Sequence, residues 1–459
     1  MEITKFVDRI GEIKTLEERW SRGKAEFIVI YGRRRIGKTE LIKQFMRDKK
    51  GLYFLGRLES KKDQLDRFSY MLSRFFSDPV LSKSPLTSWE AVFEYISNKE
   101  KHFILALDEF PYIVKTSPEI LSILQDYWDN KLKESKIFLI ICGSSISMME
   151  KQLFSYSTPL YGRRTLDIKL SSIRFRDIRG FLPETISIED MIKIYSILGG
   201  TPAYLLEFER NLDYTLSKIL SKQSFLLREP EFILREEIVE PRYYFSILHA
   251  ISIGRNSIGE IITQTGLEKG LVGKYLSTLI DLDLVRRILP ITASWKSRKG
   301  LYEIRNNYFN FWFRFIYPNL EYIETNPKYV RDLIKKELNA FIGRVFEEIC
   351  REFLMESKPG ARIGKWWYKD NEIDIVALDE NKRESFFFEC KWSNLSYSQS
   401  LKILNTLMEK SRDVRWYNDS RVETYGLFGK KIEDKERLRE EGFQVYDLQD
   451  LLNNGIKNH

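Results

Sequence analysis

Short apolar runs alternate with longer amphipathic stretches over the first 170 residues of the chain. The apolar runs are continuous, which is typical of strands buried on both faces of a parallel sheet. The stretches between them repeat apolar positions at helical spacing. The runs are EFIVIYG, GLYFLG, HFILALDE, KIFLIICGSS and LDIKL. The pattern predicts an α/β domain over residues 1–170, with helices on both faces of the sheet.

Four further segments follow by the same criterion. Residues 171–240 have helical periodicity and almost no strand pattern, so we predict a helical lid. Residues 241–306 predict three short helices and then two strands, and residues 307–337 predict an aromatic helical connector. Residues 338–459 begin with a helix and continue as a second α/β domain. The pair Trp366–Trp367 in that domain is predicted to pack rather than to stack on bases.

The composition places the chain among water-soluble globular proteins. Of the 459 residues, 43% are hydrophobic and 31% are charged, and no apolar run approaches the roughly 20 residues of a membrane span. The three cysteines are far apart and the histidines number only three, which argues against a disulfide framework and against histidine-rich metal sites. We therefore expect a cytoplasmic protein without a membrane partner. The net charge of +8 is compatible with a nucleic-acid partner but does not establish one.

A phosphate-binding loop is predicted directly after the first apolar run. The sequence GRRRIGKT matches the pattern G-x-x-x-x-G-K-[ST], in which glycines let backbone N–H groups face phosphate oxygens at the start of a helix. Lys38 is expected to reach the β- and γ-phosphates, and Thr39 is expected to ligate Mg²⁺. The predicted nucleotide contacts of this loop are Gly32, Arg33, Arg34, Arg35, Ile36, Gly37, Lys38, Thr39 and Glu40.

An acid pair at the end of another apolar run predicts the second half of that site. In FILALDEF, Asp108 and Glu109 follow the apolar residues and precede Phe110. We expect Asp108 to hold Mg²⁺ through water and Glu109 to polarise the attacking water as general base. Such a pair alone occurs as often in a loop without a functional role. Beside a phosphate loop, however, it indicates nucleotide hydrolysis.

Two weaker patterns stand near the same predicted sheet edge. Ser144 and Ser145 end the strand LIICGSS, where one of them is expected to position water or sense the γ-phosphate. Arg163 and Arg164 in YGRRTLDI are expected to stabilise charge on the γ-phosphate, within the chain or in a neighbouring subunit. The alternatives are ordinary turn residues for the serines and a solvated basic turn for the arginines.

The start of the chain offers a border for the adenine. The sequence FVDRIGEI places Phe6, Val7 and Arg9 just before a predicted helix. The alternative is a surface helix with an N-terminal cap.

In this order, the motifs resemble the archaeal-type P-loop ATPases, close to the AAA+ and STAND groups of the ASCE division. The resemblance covers roughly residues 3–240 and includes FVDRIGEI, YGRRRIGKTELI, LALDEF, ICGSS, YGRRT and LGGTPAYL. It implies that ATP is the nucleotide, that Mg²⁺ is its metal and that Glu109 is the catalytic acidic residue. It also implies a helical lid that contains Gly199–Leu205, although this lid motif has no arginine of the kind that contacts phosphate in many AAA+ proteins.

The segment after the lid predicts a winged helix-turn-helix. SIGEIITQTGLEKGLVGKYLSTLIDLD predicts two helices joined at Gly266, and LVRRILPI and KGLYEIR predict a β-ribbon after them. The wing between these strands is basic and is expected to contact DNA phosphates. The second helix is not strongly basic, so packing against protein is the alternative role. The candidate residues are Gly270, Lys274, Tyr275 and Thr278 on the helix and Lys296, Arg298 and Lys299 on the wing.

Charged residues inside apolar strands predict a third site near the C-terminus. EIDIVAL contains Asp374, and FFFECKW contains Glu389 and Lys391, which alternation places on one strand face. Two carboxylates and a lysine can bind Mg²⁺ and activate water for phosphodiester attack, and buried charges need a partner or a metal. Glu347, on the preceding helix, completes the predicted metal shell of Glu347, Asp374 and Glu389.

This constellation resembles the restriction-endonuclease-like PD-(D/E)xK fold over roughly residues 338–450. The proline that usually precedes the aspartate is absent, since the sequence reads EID. The alternative is a fold of this type that serves as a docking or DNA-binding module without cleavage. Two functions thus stay open for the chain. One is an ATPase that acts on DNA, and the other is a nucleotide-driven switch that binds a protein partner or further copies of itself.

Overall fold

A computed structural model describes residues 7–99, 101–238 and 240–455. The chain divides into two compact units. The first unit holds the described part of Met1–Ile173 together with Thr201–Ala203, and the second holds Arg174–Gly200 and the described residues from Tyr204 onward. Within the described ranges, no helix combines the length and the apolar character that crossing a membrane requires.

The first unit is built on a five-stranded parallel sheet in the order β2-β3-β4-β1-β5. The strands are β1 Glu26–Tyr31, β2 Gly51–Leu55, β3 Phe103–Asp108, β4 Ile137–Gly143 and β5 Leu166–Lys169. Alternate residues of β1 enter different cores: Phe27 and Val29 pack on one face, and Ile28 and Ile30 pack on the other. Two-sided burial explains why the strands read as continuous apolar runs. The predicted α/β fold with a parallel sheet is confirmed.

Helices connect these parallel strands, as crossover connections require. Ser60 and Ser88 cap two of them, each through its hydroxyl oxygen on a backbone N–H three residues later. The helices are α1 Ile10–Trp20, α2 Lys38–Met46, α3 Lys61–Phe76, α4 Pro79–Lys83, α5 Trp89–Ser97, α6 Phe110–Thr116, α7 Ile120–Asn130 and α8 Ile146–Met149.

Helices also dominate residues 174–283. They are α9 Ile188–Leu198, α10 Pro202–Leu205, α11 Leu212–Ile219, α12 Glu229–Glu237, α13 Arg242–Ser252, α14 Ile258–Thr265 and α15 Lys269–Asp281. Gly266 ends α14 in the left-handed conformation, with φ of 68°, where a residue without Cβ is unstrained. An antiparallel ribbon follows, formed by β6 Val285–Ile288 and β7 Leu301–Ile304. Three helices and then two strands thus follow one another over residues 242–304. A winged helix that binds DNA stays a prediction.

The aromatic connector is a buried part of the second unit. Its helices are α16 Asn307–Phe311 and α17 Leu320–Thr325, and α18 Pro327–Ser357 follows. Tyr308 and Trp312 are fully buried, and each donates to a backbone carbonyl, at 2.5 Å and 2.7 Å respectively. Their polar tips are therefore satisfied inside an apolar core, as buried aromatic donors require.

The C-terminal part of the second unit is a five-stranded mixed sheet in the order β12-β11-β10-β9-β8. Its strands are β8 Arg362–Tyr368, β9 Asn371–Asp379, β10 Glu384–Leu395, β11 Val422–Ile432 and β12 Gln444–Tyr446. The pairs β8–β9 and β9–β10 are antiparallel, whereas β10–β11 and β11–β12 are parallel. The last helices are α19 Tyr397–Ser411, α20 Lys435–Glu440 and α21 Leu448–Gly455. Helix α18 packs against β10, and α19 packs against β10 and β11.

Candidate functional site

The turn between β1 and α2 needs glycine at two positions. Gly32 has φ of 146°, and a Cβ there would lie 2.5 Å from the carbonyl oxygen of Leu170. Gly37 precedes the first residue of α2 and has φ of 92°. Both conformations are strained for any residue with a side chain. The sequence pattern that predicted a phosphate loop therefore coincides with a tight turn at a helix N-terminus, where backbone N–H groups favour anions.

Lys38 lies inside this turn. Its side chain is buried, and Nζ donates to the carbonyl oxygens of Gly32 at 3.0 Å and Arg33 at 2.8 Å. Burial lowers the pKa of Lys38, against the opposing charges of Glu109 and Asp108. The loop thus holds a lysine close to its own backbone and within the field of the two acids.

Asp108 is the centre of a hydrogen-bond cluster at the end of β3. Thr39 Oγ1 donates to Asp108 Oδ2 at 2.7 Å, and Tyr53 OH donates to the same oxygen at 2.5 Å. The backbone N–H of Glu109 donates to Asp108 Oδ1 at 2.9 Å. Because the carboxylate is only 1% exposed, these donors supply the partners that a buried charge needs.

Tyr53 is a member of this site that sequence reasoning missed. It lies on β2, in register with Ala106 of β3. Burial raises the pKa of Tyr53, and the hydrogen bond to Asp108 acts in the same direction. The only signal in the sequence is a hydroxyl-bearing residue within the otherwise apolar run GLYFL.

Glu109 is held by the end of the neighbouring strand. Ser144 donates to Glu109 Oε2 through its hydroxyl at 2.9 Å and through its backbone N–H at 3.3 Å. Glu109 itself has φ of 51°, and it precedes α6. Ser145 instead caps α8, where its oxygen accepts from the N–H of Met148 at 3.3 Å. Of the two predicted serines, Ser144 is therefore the one that contacts the acid.

These residues fit a magnesium nucleotide. A hydroxyl and a carboxylate oxygen lie together at Thr39 and Asp108, and oxygen ligands are what Mg²⁺ prefers. The glycine turn and Lys38 lie at the start of the same helix. Pro202, from the predicted lid motif, approaches this turn, since its Cγ would lie 3.9 Å from a Cβ at Gly37.

Arg163 and Arg164 are both engaged within the first unit. Arg163 donates to both oxygens of Asp129, with Nε and Nη2 at 3.0 Å and 2.8 Å from Oδ2. Arg164 forms an ion pair with Asp167 at 3.1 Å, and its guanidinium lies 4.1 Å from the ring centre of Phe154. A role of either arginine at the γ-phosphate stays a prediction.

Arg9 lies beneath the phosphate loop. It is 6% exposed and donates to the carbonyl oxygens of Ile36 at 3.2 Å and Ser171 at 2.5 Å. Arg9 therefore stabilises the phosphate loop through its hydrogen bond to the carbonyl oxygen of Ile36. Val7 is half-buried, and Phe6 lies outside the described residues, so a border for the adenine stays a prediction.

The other predicted loop contacts differ in exposure. Ile36 is buried, Arg33 and Arg35 are half-buried, and Arg34 is exposed. Glu40 is exposed and forms an ion pair with Lys43 at 3.7 Å. Their contacts with nucleotide stay predictions.

The charged residues of the C-terminal sheet form a compact cluster. Lys391 Nζ donates to Glu389 Oε2 at 2.6 Å and to Asp374 Oδ2 at 3.3 Å. Lys410, on α19, donates to Glu389 Oε1 at 2.8 Å, and the N–H of Cys390 donates to Asp374 at 2.8 Å. Sequence reasoning missed Lys410. With it, the cluster holds two carboxylates, Asp374 and Glu389, and two lysines, so its formal side-chain charges sum to zero.

Glu347 lies beside this cluster but pairs with another lysine. Lys365 Nζ donates to Glu347 Oε2 at 3.2 Å and also pairs with Glu372. Burial raises the pKa of Glu347 to about 7, with Lys365 opposing and Asp374 supporting the shift. In the ranges that the structure describes, no group of three or more His, Cys, Asp or Glu is placed to hold a metal ion. The metal shell of Glu347, Asp374 and Glu389 stays a prediction.

A polar cavity of about 230 Å³ lies next to Glu347 and Asp374. Arg286 of β6 lines it and forms ion pairs with Glu303 and Glu348, each at 2.9 Å. The two ion pairs of Arg286 therefore connect β6 with β7 and with helix α18, beside the predicted nuclease centre.

Comparison with known proteins identifies the family. Residues 6–208 match the family described as "ATPase domain predominantly from Archaea", and residues 312–403 match "Archaea bacterial proteins of unknown function". The chain is 37% identical to protein MJECL04 of Methanocaldococcus jannaschii over 97% of this chain and 100% of that protein. A shorter match, 52% identical, covers 10% of this chain and 81% of the ATP-binding protein MJ0423 of the same organism.

A solved structure shares the fold. The Walker-type ATPase PABY2304 of Pyrococcus abyssi superposes with a TM-score of 0.51 and 19% identity, over 67% of this chain and 96% of that one. The glycine turn, the buried lysine and the acid pair occupy the part of the chain that matches the ATPase domain. This chain belongs to the archaeal P-loop ATPase family.

Proposed function

We propose that the chain hydrolyses ATP between its phosphate loop and Glu109, with Mg²⁺ as metal. The observation that carries the proposal is the contact of Thr39 Oγ1 with Asp108 Oδ2 at 2.7 Å, directly beside Glu109. It joins the phosphate loop to the acid pair, and the two motifs are otherwise distant in the sequence. A purely structural role leaves this meeting of two phosphate-site motifs unexplained.

Each residue has a distinct role in the proposed reaction. The loop N–H groups and Lys38 bind and orient the phosphates, and the positive charge of Lys38 stabilises negative charge that develops on the β–γ bridge. Thr39 and Asp108 are the residues that would hold Mg²⁺, which supplies further neutralisation of phosphate charge when bound. Ser144 positions Glu109, and Tyr53 positions Asp108.

Glu109 is the proposed general base. Both contacts from Ser144 reach Oε2, and among the described residues none donates to Oε1. The carboxylate therefore has an oxygen with which to accept a proton from water. The water oxygen forms a bond to the γ-phosphorus, the bond to the β–γ bridging oxygen breaks, and the products are ADP and phosphate.

The substitution Glu109→Gln tests this role. Its amide retains the shape of the side chain but is not a base, so hydrolysis should fall by about 10²–10⁴-fold while ATP still binds. Glu119→Gln is the matched control, since Glu119 pairs with Lys61 on the surface of the same unit. Hydrolysis by Glu109→Gln at the wild-type rate would show that another residue is the base.

The proposal extends to DNA as the partner of the second unit. The meeting of Asp374, Glu389 and Lys391 in a mixed sheet supports it, together with a basic loop in the ribbon β6–β7. A metal-dependent nuclease is the further expectation. Incubation of several DNA forms with Mg²⁺ or Mn²⁺ tests it, and cleavage that persists in Asp374→Ala would exclude this site.

The balance of charge around Glu389 favours the second candidate, a nucleotide-driven switch without cleavage. Two lysines already neutralise Glu389, so no metal is needed there to compensate its buried charge. Salt dependence separates the two functions. A steep fall of DNA affinity with salt supports the DNA partner, and absence of binding at about 50 mM salt supports a switch that acts on protein.

A further inference from the structure

A cleft in the second unit brings together cations and aromatic rings that the proposed ATPase does not use. It lies between the start of α14, the loop that joins β6 to β7, and the turn between β8 and β9. Its volume is about 430 Å³. Its lining residues include Ser257, Arg298, Lys299, Trp367, Tyr368 and Lys369. We call this site the wing–hairpin cleft.

The cations of the cleft are not neutralised by carboxylates. Arg298, Lys299 and Lys369 are exposed, and none forms an ion pair with an acid in the part of the chain that the structure describes. By contrast, Lys365, on the same strand as Trp367, is paired with both Glu347 and Glu372. The cleft therefore presents positive charge to solvent, as sites for phosphate backbones do.

Two aromatic rings accompany these cations. Tyr368 is 40% exposed, and Lys299 Nζ and Lys369 Nζ lie 4.5 Å and 5.5 Å from its ring centre. Trp295, on the same loop as Lys299, is 76% exposed and has Lys296 Nζ at 5.2 Å from its ring. Each ring therefore presents surface to solvent beside a lysine, and an exposed aromatic face is suited to stacking on a base.

Neighbouring residues of the β8–β9 hairpin lie in different environments. Trp366 is buried at 3% exposure in the core of the C-terminal sheet, and the next residue, Trp367, lines the cleft. Packing therefore accounts for the first tryptophan of the pair, as the sequence predicts, and leaves the end of the hairpin for contact with a ligand.

We propose that the wing–hairpin cleft binds an unpaired strand of nucleic acid. Phosphates lie against Arg298, Lys299 and Lys369, and bases stack on Tyr368 in the cleft and on Trp295, which lies outside the cleft on the same loop as Lys299. A single strand is the favoured form because stacking needs exposed base faces, which a duplex hides. The inference rests on the DNA part of the proposed function, and it adds the substrate class and a second contact surface beyond the wing.

Binding of a labelled oligothymidylate to the full chain tests the proposal, with a matched duplex as comparison. The single strand should bind more tightly. Tyr368→Ala and Trp295→Ala should each weaken binding by about 5- to 150-fold, the loss expected for one stacked base. Tyr368→Phe retains the ring and should retain the affinity, which separates the contribution of the ring from that of the hydroxyl, and intact ATP hydrolysis with an unchanged circular dichroism spectrum shows that Tyr368→Ala is folded.

Charge is tested by Lys369→Gln. This variant should reduce the slope of log affinity against log salt by about 0.7, the value for one contact to a single strand. Lys382→Gln is the control for net charge, because Lys382 is exposed in the turn between β9 and β10, and Tyr156→Ala is the control for an exposed ring. Neither control should change binding.

Three results would overturn the proposal in distinguishable ways. If the oligonucleotide binds but the Tyr368, Trp295 and Lys369 variants bind normally, the cleft is wrong and the DNA partner stands. If the duplex binds more tightly, the substrate class is wrong. If no nucleic acid binds at low salt while ATP hydrolysis is intact, the DNA part of the proposed function fails together with the cleft.

Discussion

Thr39 and Asp108 lie 69 positions apart in the chain, yet Thr39 Oγ1 donates to Asp108 Oδ2 at 2.7 Å. The contact exists because α2, which follows the phosphate loop, packs against β3, which ends in Asp108. Tyr53 of β2 donates to the same oxygen. Donors from two other segments, α2 and β2, therefore fix the carboxylate at the end of β3, and this supports a functional role because a buried acid is otherwise unfavourable.

Tyr53→Phe should weaken the response to magnesium. The substitution removes the donor at 2.5 Å from Asp108 while the ring stays in the sheet. Loss of a group that orients a metal ligand typically lowers metal affinity 10- to 100-fold, so the Mg²⁺ concentration for half-maximal hydrolysis should rise by about that factor. Titration of Mg²⁺ in wild type and variant measures it. An unchanged Mg²⁺ requirement would separate Tyr53 from the metal site.

Ser144→Ala should lower the rate of hydrolysis without lowering ATP affinity. The variant removes the hydroxyl that donates to Glu109 at 2.9 Å and leaves the weaker backbone contact at 3.3 Å. We expect kcat to fall about tenfold, less than for loss of the base itself. Ser145→Ala is the control, because Ser145 caps α8 instead. Equal effects of the two variants would contradict a specific role for Ser144.

Lys410 and Glu389 should be coupled in stability. Glu389 is 4% exposed, and Lys410→Met leaves its Oε1 without the donor at 2.8 Å. The free energy of unfolding of the second unit should fall by about 1–3 kcal/mol. Glu389→Gln should make the loss from Lys410→Met smaller, because the buried negative charge is then absent. Urea unfolding of the single and double variants measures the coupling, and simple additivity would contradict it.

Glu352 predicts a pH dependence of stability. Burial raises the pKa of Glu352 to about 7 from an ordinary value of 4.5, and Glu348 adds to the shift. The folded state therefore holds this proton at pH values where the unfolded state has lost it, and stability falls as pH rises from 4.5 to 7. Glu352→Gln should be more stable than wild type at pH 8, by about 1–3 kcal/mol, and equal near pH 4.

Thermal unfolding of wild type and Glu352→Gln across that range measures the difference. Glu356→Gln is a control on the same helix, because Glu356 pairs with Arg176 near the end of α18. A constant difference between wild type and Glu352→Gln at all pH values would contradict the raised pKa.

Each motif that sequence reasoning predicted for the site is local in the chain. Gly32, Lys38 and Thr39 lie in one short loop, where the requirements of phosphate binding fix residue type and spacing together. The residues that it missed, Tyr53 and Lys410, act through contacts between neighbouring elements. Their roles depend on which strand lies beside which, and this order is not written in the local pattern.

The same limit applies to the organisation of the chain. The apolar periodicity predicted the parallel sheet, because two-sided burial leaves a direct trace in the sequence. It did not indicate that Thr201–Ala203 belong to the first compact unit, although residues on both sides belong to the second. A division by consecutive segments misses such an arrangement, because it depends on contacts between residues distant in sequence.

The rate of ATP hydrolysis by Lys38→Ala tests the central claim most directly. Lys38 is buried in the phosphate loop, and its Nζ contacts two loop carbonyls, so its loss removes the cation that we propose binds the phosphates. The account predicts that phosphate release falls to background, with an unchanged far-ultraviolet circular dichroism spectrum and Mg²⁺ present throughout. Hydrolysis by folded Lys38→Ala at the wild-type rate would contradict the account.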